Sequence, residues 1–194
     1  DLDSFPLLAV PFFILAGELM NTGGISRRII TMAQAWVGHI PGGLGYVAIA
    51  AAIMLSAMSG SALADAAALA TIVLPMMRKN GYPLATSAGL IAAGGVIGPI
   101  IPPSMAFVIY GVTTNTSVSA LFVSGIVPGL IMGLGLVIAW KLQIRGLDLP
   151  ADEPMPMKER LKATLNAVWA LLMPVIIIGG MKSGMFTPTE AAVV

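Results

Sequence analysis

Two short segments of this chain carry residue types suited to holding an ion. The first is Ser59-Gly60-Ser61, with Asp65 close behind. The second runs Gly98-Pro99-Ile100-Ile101-Pro102-Pro103-Ser104. Prolines have no N–H, so Pro102 and Pro103 leave the carbonyls of the preceding turn without partners. A helix ending near Met58 exposes carbonyl oxygens, and one starting near Ser61 exposes N–H groups. Carbonyls and serine hydroxyls together suit a small hard cation such as Na⁺, and a helix start suits a carboxylate. Ser61 and Ser104 read as N-caps. Ser59 is expected to be free to turn toward an ion. In the second segment Ile101 is expected to close one half-helix, with Met105 to Tyr110 forming the next. Gly94, Gly95 and Gly98 allow close backbone approach. Asp65 supports two readings equally. One is an ion ligand or proton carrier at membrane depth; the other is a polar helix contact one turn past Ser61, where a helix start favours negative charge.

Other chemistries find less support. There is no cysteine, which excludes disulfides and thiolate metal sites, and His39 is the sole histidine. A serine hydrolase built on Ser59, Ser61 or Ser104 needs a base within reach. His39 lies beside a Pro-Gly-Gly turn at the end of an amphipathic stretch, away from those serines. A channel needs a continuous polar path, and the segments around both breaks are apolar. A formal net charge of +1 argues against nucleic acid as a partner.

The elements that must position these residues are apolar. Hydrophobic residues make up 57% of the chain and charged residues 10%, against about 25% charged in a soluble domain. No Asp, Glu, Lys, Arg or His occurs between Asn80 and Trp140. The composition predicts an all-α integral membrane protein. A span is expected over 6–22 and a basic amphipathic helix in the interface over 25–40, its apolar stripe being Ile25, Ile29, Met32, Ala33, Trp36 and Ile40. Two apolar helices over 43–77 are joined by the small Ser-Gly-Ser turn. Basic residues flank both outer ends, Arg27 and Arg28 before and Arg78 and Lys79 after, placing both on the cytoplasmic side. That favours a re-entrant hairpin. A broken span over 84–111 and a span over 120–140 follow, with Gly129 and Gly133 suited to close helix contact. Residues 141–162 read as a cytoplasmic connector, and 163–181 as a further span kinked at Pro174. Thr187-Pro188-Thr189-Glu190 reads as a new helix start. The chain is expected to be a fragment of a longer membrane protein.

Several stretches resemble the large membrane subunit of the tripartite ATP-independent periplasmic (TRAP) transporters. They are GELMNTGG, PGGLGY, the hairpin SGSALAD with LPMMRKNGY, the break GPIIPPS with VIYG, SGIVPG and FTPTEAAVV. The resemblance covers essentially the whole chain, with the motifs in the family's order. It implies an inverted-repeat, elevator-type carrier of the ion transporter superfamily. Residues 1–162 would be the first repeat and 163–194 the start of the second. It further implies Na⁺-coupled uptake of an organic anion (a C4-dicarboxylate, sialic acid or sugar acid) across the bacterial inner membrane. The implied partners are a small four-helix membrane subunit and a periplasmic solute-binding protein, with Na⁺ as coupling ion and no cofactor. The family's first ion site carries over to Ser59, Gly60 and Ser61, and to Gly98, Pro102, Pro103 and Ser104, with Na⁺ held by Ser59, Ser61, Ser104 and nearby carbonyls. A related carboxylate carrier that works without a binding protein is the alternative.

Overall fold

The computed structural model describes residues 9–185 together with Thr187 and Glu190. The expected span over 6–22 therefore falls partly outside the described residues, as does most of the FTPTEAAVV segment. Among the described residues the secondary structure is helical throughout: α1 (Ala9–Thr22), α2 (Ile25–Val37), α3 (Gly43–Ser59), α4 (Ala62–Lys79), α5 (Leu84–Gly95), α6 (Met105–Thr114), α7 (Val118–Gln143), α8 (Met157–Asn166) and α9 (Val168–Lys182).

Helix α3 is the centre of the packing. Its sequence GLGYVAIAAAIMLSAMS is rich in Gly and Ala, which lets α2, α4, α5 and α7 approach closely. Val47, Ala51 and Ala52 are fully buried, and the main core extends from them through Leu69, Val73 and Met77 of α4. A smaller cluster joins Val108, Val118, Phe122, Ile177 and Met181 across α6, α7 and α9.

Helices α3 and α4 form a hairpin, and its two outer ends meet at one residue. Trp140 Nε1 donates to the Gly42 carbonyl at the start of α3 (3.0 Å). Tyr82, three residues past the end of α4, stacks on the Trp140 ring with centroids 6.1 Å apart and planes 7° apart. Its hydroxyl reaches the Pro150 carbonyl (3.4 Å). A side chain on Gly45 would overlap the Trp140 ring, so that glycine makes room for the indole. At 17 residues α3 is about 26 Å long, short of the roughly 30 Å hydrocarbon core of a bilayer.

The second break begins earlier than the double proline suggests. Helix α5 stops at Gly95 rather than at Ile101. From there Ile97 N bonds Gly94 O, Gly98 N bonds Gly95 O, and Ile100 N bonds Ile97 O, at 2.9–3.1 Å. This is a run of tight three-residue turns. The Gly94-Gly95 pair, with Gly98 one turn on, weakens the helix before the prolines are reached. The Pro102–Pro103 peptide bond is cis. Helix α6 then runs to Thr114, beyond the expected Tyr110.

One further expectation is corrected. The connector becomes helical at Met157, where Pro156 sits at the N-cap of α8 and fixes a φ compatible with entry into a helix. The bend between α8 and α9 is 51° and falls at Ala167, while Pro174 lies inside the continuous α9. Among the described residues α7 alone is long and apolar enough to cross a membrane by itself, and α8 with α9 would make a second span as a bent pair. Part of the apolar face of α2 is taken up by protein: Ile29, Ile30, Met32 and Ala33 are buried and the helix packs on α3 and α8, while Trp36 and Ile40 stay exposed. Trp36 Nε1 donates to Thr164 Oγ1 of α8 (3.0 Å), and the Arg160 guanidinium lies 5.9 Å from the Trp36 ring centroid. At the far end, Thr187 N and Oγ1 both donate to Glu190 Oε2 (2.8 Å), and Glu190 N donates back to Thr187 Oγ1 (3.3 Å). That is a capping box, and those two bonds hold the Glu190 carboxyl below its usual range.

Candidate functional site

The tip of the α3–α4 hairpin and the α5–α6 break touch. Gly60 has φ +59°, a left-handed conformation that glycine adopts at no steric cost. A Cβ there would come well within 3.0 Å of the Pro103 carbonyl oxygen, and would lie 3.1 Å from Ser104 Cα. One turn further into α4 a second contact forms. A Cβ on Gly98 would meet Asp65 Oδ2 at 2.8 Å, Ala62 N at 3.0 Å and the Gly95 carbonyl at 3.1 Å. Gly95 in turn leaves room for the Ala62 carbonyl (2.7 Å) and Ala66 Cβ (2.8 Å). Glycines on both segments thus bring two interrupted backbones together.

Each break is closed by a serine. Ser61 is the N-cap of α4, its Oγ accepting from Ala64 N (3.4 Å). Ser104 is the N-cap of α6, accepting from Phe107 N (3.3 Å). Ser104 is fully buried, and its hydroxyl donates to the Pro99 carbonyl (2.6 Å), tying the two ends of the break to each other. Helices α4 and α6 both begin here, so the positive ends of two helix dipoles lie at one locus. At the end of α3, Gly60 N donates to the Ser56 carbonyl (3.3 Å).

Ser59 is not free, as the sequence suggested. Its Oγ donates to Asp65 Oδ1 (2.5 Å) and accepts from Ser61 N (3.1 Å). The tight turn folds α4 back over the end of α3 and sets Asp65, in the first turn of α4, against the last turn of α3. Asp65 is 2% exposed, and its Oδ2 has no hydrogen-bond partner. Ser56, one turn before Ser59, was not singled out by the sequence reading. It is fully buried and neighbours the Asp65 carboxyl, yet its Oγ meets no hydrogen-bond geometry. The Ser56-x-x-Ser59 spacing, which puts both hydroxyls on one helix face, is the signal that could have found it.

A cavity of about 350 Å³ opens beside the tip, lined by Ile14, Gly17, Glu18, Ser59, Ser61 and Leu63 among others. The seven expected site residues, Ser59, Gly60, Ser61, Gly98, Pro102, Pro103 and Ser104, lie on the two breaks that meet here, with Asp65 between them. His39, the sole histidine, lies in the loop that enters α3, at the opposite end of that helix from the Ser-Gly-Ser tip, so no histidine base serves these serines. Among the described residues no group of three His, Cys, Asp or Glu is placed to hold a transition metal. Oxygen donors from backbone, hydroxyl and one carboxylate are the ligand types that suit a hard cation.

An apolar chain, helical throughout its described residues, in which two backbone interruptions face each other is consistent with a membrane permease subunit. Comparison with known proteins agrees. Over residues 1–194 the chain matches the family model described as tripartite ATP-independent periplasmic transporter, DctM component, and it belongs to that family. It is 53% identical over 192 residues to the 2,3-diketo-L-gulonate TRAP transporter large permease protein of Escherichia coli K12, a match covering 99% of this chain and 45% of that protein. It is 46% identical to the C4-dicarboxylate TRAP transporter large permease protein of Pseudomonas aeruginosa, covering 99% of this chain and 45% of that one. With the sialic acid TRAP transporter permease protein of Haemophilus influenzae the identity is 47%, covering 100% of this chain and 32% of that protein. The chain therefore spans less than half the length of these relatives.

Proposed function

We propose that this chain forms the first repeat and the start of the second in the large subunit of a Na⁺-coupled carrier, which takes up an organic anion across the bacterial inner membrane. The observation that supports the reading is the seating of Gly60 against the Pro103 carbonyl. It brings two breaks together where carbonyl oxygens of the interrupted backbones and serine hydroxyls can replace the hydration shell of a small cation. Interrupted helices of this kind survive in lipid where they line a cavity or bind an ion. The short α3 suits a hairpin that enters the bilayer and returns. Packing of hairpin tip and break as one body suits an elevator-like motion of that body against its surroundings. Na⁺ bound at the meeting point would favour the seated arrangement and so complete the anion site together with the rest of the subunit.

Relatives are named for 2,3-diketo-L-gulonate, C4-dicarboxylates, sialic acid and isethionate. All four are organic acids, and the substrate class proposed here is a small organic anion delivered by a periplasmic solute-binding protein. A small four-helix subunit would complete the membrane assembly. The test is Na⁺-driven uptake in proteoliposomes holding the full-length subunit and its partners, comparing wild type with Ser59→Ala and Ser104→Ala. Both variants should need several-fold more Na⁺ for half-maximal uptake. Unchanged Na⁺ dependence in both would remove the ion site.

A further inference from the structure

We propose that Asp65 is the counter-charge of the ion site and the strut that sets its width. This rests on the ion-site reading above and adds to it the residue that neutralises the cation. Among the described residues Asp65 is the only buried acidic or basic side chain. Its two oxygens serve different elements. Oδ1 takes the Ser59 hydroxyl of the hairpin tip, and Oδ2, buried and without a hydrogen bond, faces the break where Gly98 lacks a side chain. The carboxylate therefore stands between the two segments that hold the cation. A lone cation buried among neutral groups is costly, and so is a lone buried carboxylate. Together they form a neutral unit at membrane depth, where either charge alone is disfavoured. Asp65 also fixes the Ser59 rotamer, so its oxygen is presented at a set distance from the break. Bound cation and seated hairpin thereby stabilise each other.

The experiment reads binding rather than uptake. Purified full-length subunit in detergent is titrated with NaCl, with KCl making up constant ionic strength, and the unfolding temperature is followed. Wild type should show a saturable rise with Na⁺. Asp65→Asn keeps the shape and one acceptor oxygen but removes the charge. It should leave the unfolding temperature without Na⁺ no lower than wild type, since a lone buried carboxylate is removed, and raise the half-saturating Na⁺ concentration by about tenfold or more. Gly98→Ala keeps the charge but pushes a methyl group into Oδ2, and should raise the same concentration even if Asp65→Asn does not fold. A saturable wild-type response with an unchanged midpoint in the variants overturns the counter-charge role and leaves the ion site standing. No saturable response in wild type overturns both.

Discussion

Replacing Gly60 by alanine tests whether the hairpin tip is held against the break. Two penalties act at this position. The first is conformational: φ is +59°, and an L-residue there is disfavoured by about 1–2 kcal/mol. The second is steric, because the added methyl would come well within 3.0 Å of the Pro103 carbonyl oxygen. The obstacle is backbone next to a fully buried serine, so no flexible side chain can swing away. The tip must lift by roughly 1 Å, and overpacking of this kind costs about 1–3 kcal/mol. The sum is about 2–5 kcal/mol. Gly81→Ala supplies the control. Gly81 also has a positive φ, +77°, but nothing lies within 4 Å of its would-be Cβ, so only the first penalty applies. Thermal unfolding of the full-length subunit in detergent should therefore fall further for Gly60→Ala than for Gly81→Ala. Only Gly60→Ala should raise the Na⁺ concentration needed for half-maximal uptake. Equal effects of the two substitutions on stability and on Na⁺ dependence would refute the close approach.

Two further substitutions probe the packing that brings the breaks together. Trp140→Phe keeps the stack on Tyr82 but leaves the Gly42 carbonyl without its indole donor, which should destabilise the subunit by about 1–3 kcal/mol, read as a lower unfolding temperature. Gly125→Ala on α7 would drive a methyl group into the Ile100 carbonyl on the break, whereas Gly135→Ala on the same helix meets nothing within 4 Å. The first should impair both stability and uptake. The second should leave uptake unchanged and raise stability slightly, since alanine is the better helix former by about 1 kcal/mol.

Much of the local architecture was legible because its causes act within a few residues. Ser61 and Ser104 cap helices through bonds to the amide three residues on, so S-A-L-A and S-M-A-F announce the helix starts. The positive φ at Gly60 follows from the Ser-Gly-Ser turn. The first half of the broken helix ends at Gly95 rather than at the double proline, because the Gly94-Gly95 pair already weakens the helix upstream of it. The 51° bend between α8 and α9 at Ala167 has no proline or glycine to announce it. The Ser59–Asp65 bond is not legible in the sequence because its partner is six residues on, across a turn whose geometry one-dimensional spacing does not fix.

An apolar helical chain, the two segments that interrupt it and the serines that close those interruptions are legible in the sequence, since prolines, glycines and capping hydroxyls act on their own neighbours. Only the tertiary structure decided that Gly60 lies under the Pro103 carbonyl, that Asp65 stands between Ser59 and Gly98, and that Trp140 gathers both ends of the hairpin. Those contacts join residues 43 and 98 positions apart in the Gly60–Pro103 and Gly42–Trp140 pairs. They arise from how the small-residue face of α3 lets its neighbours close in, which is a property of packing and not of any one segment.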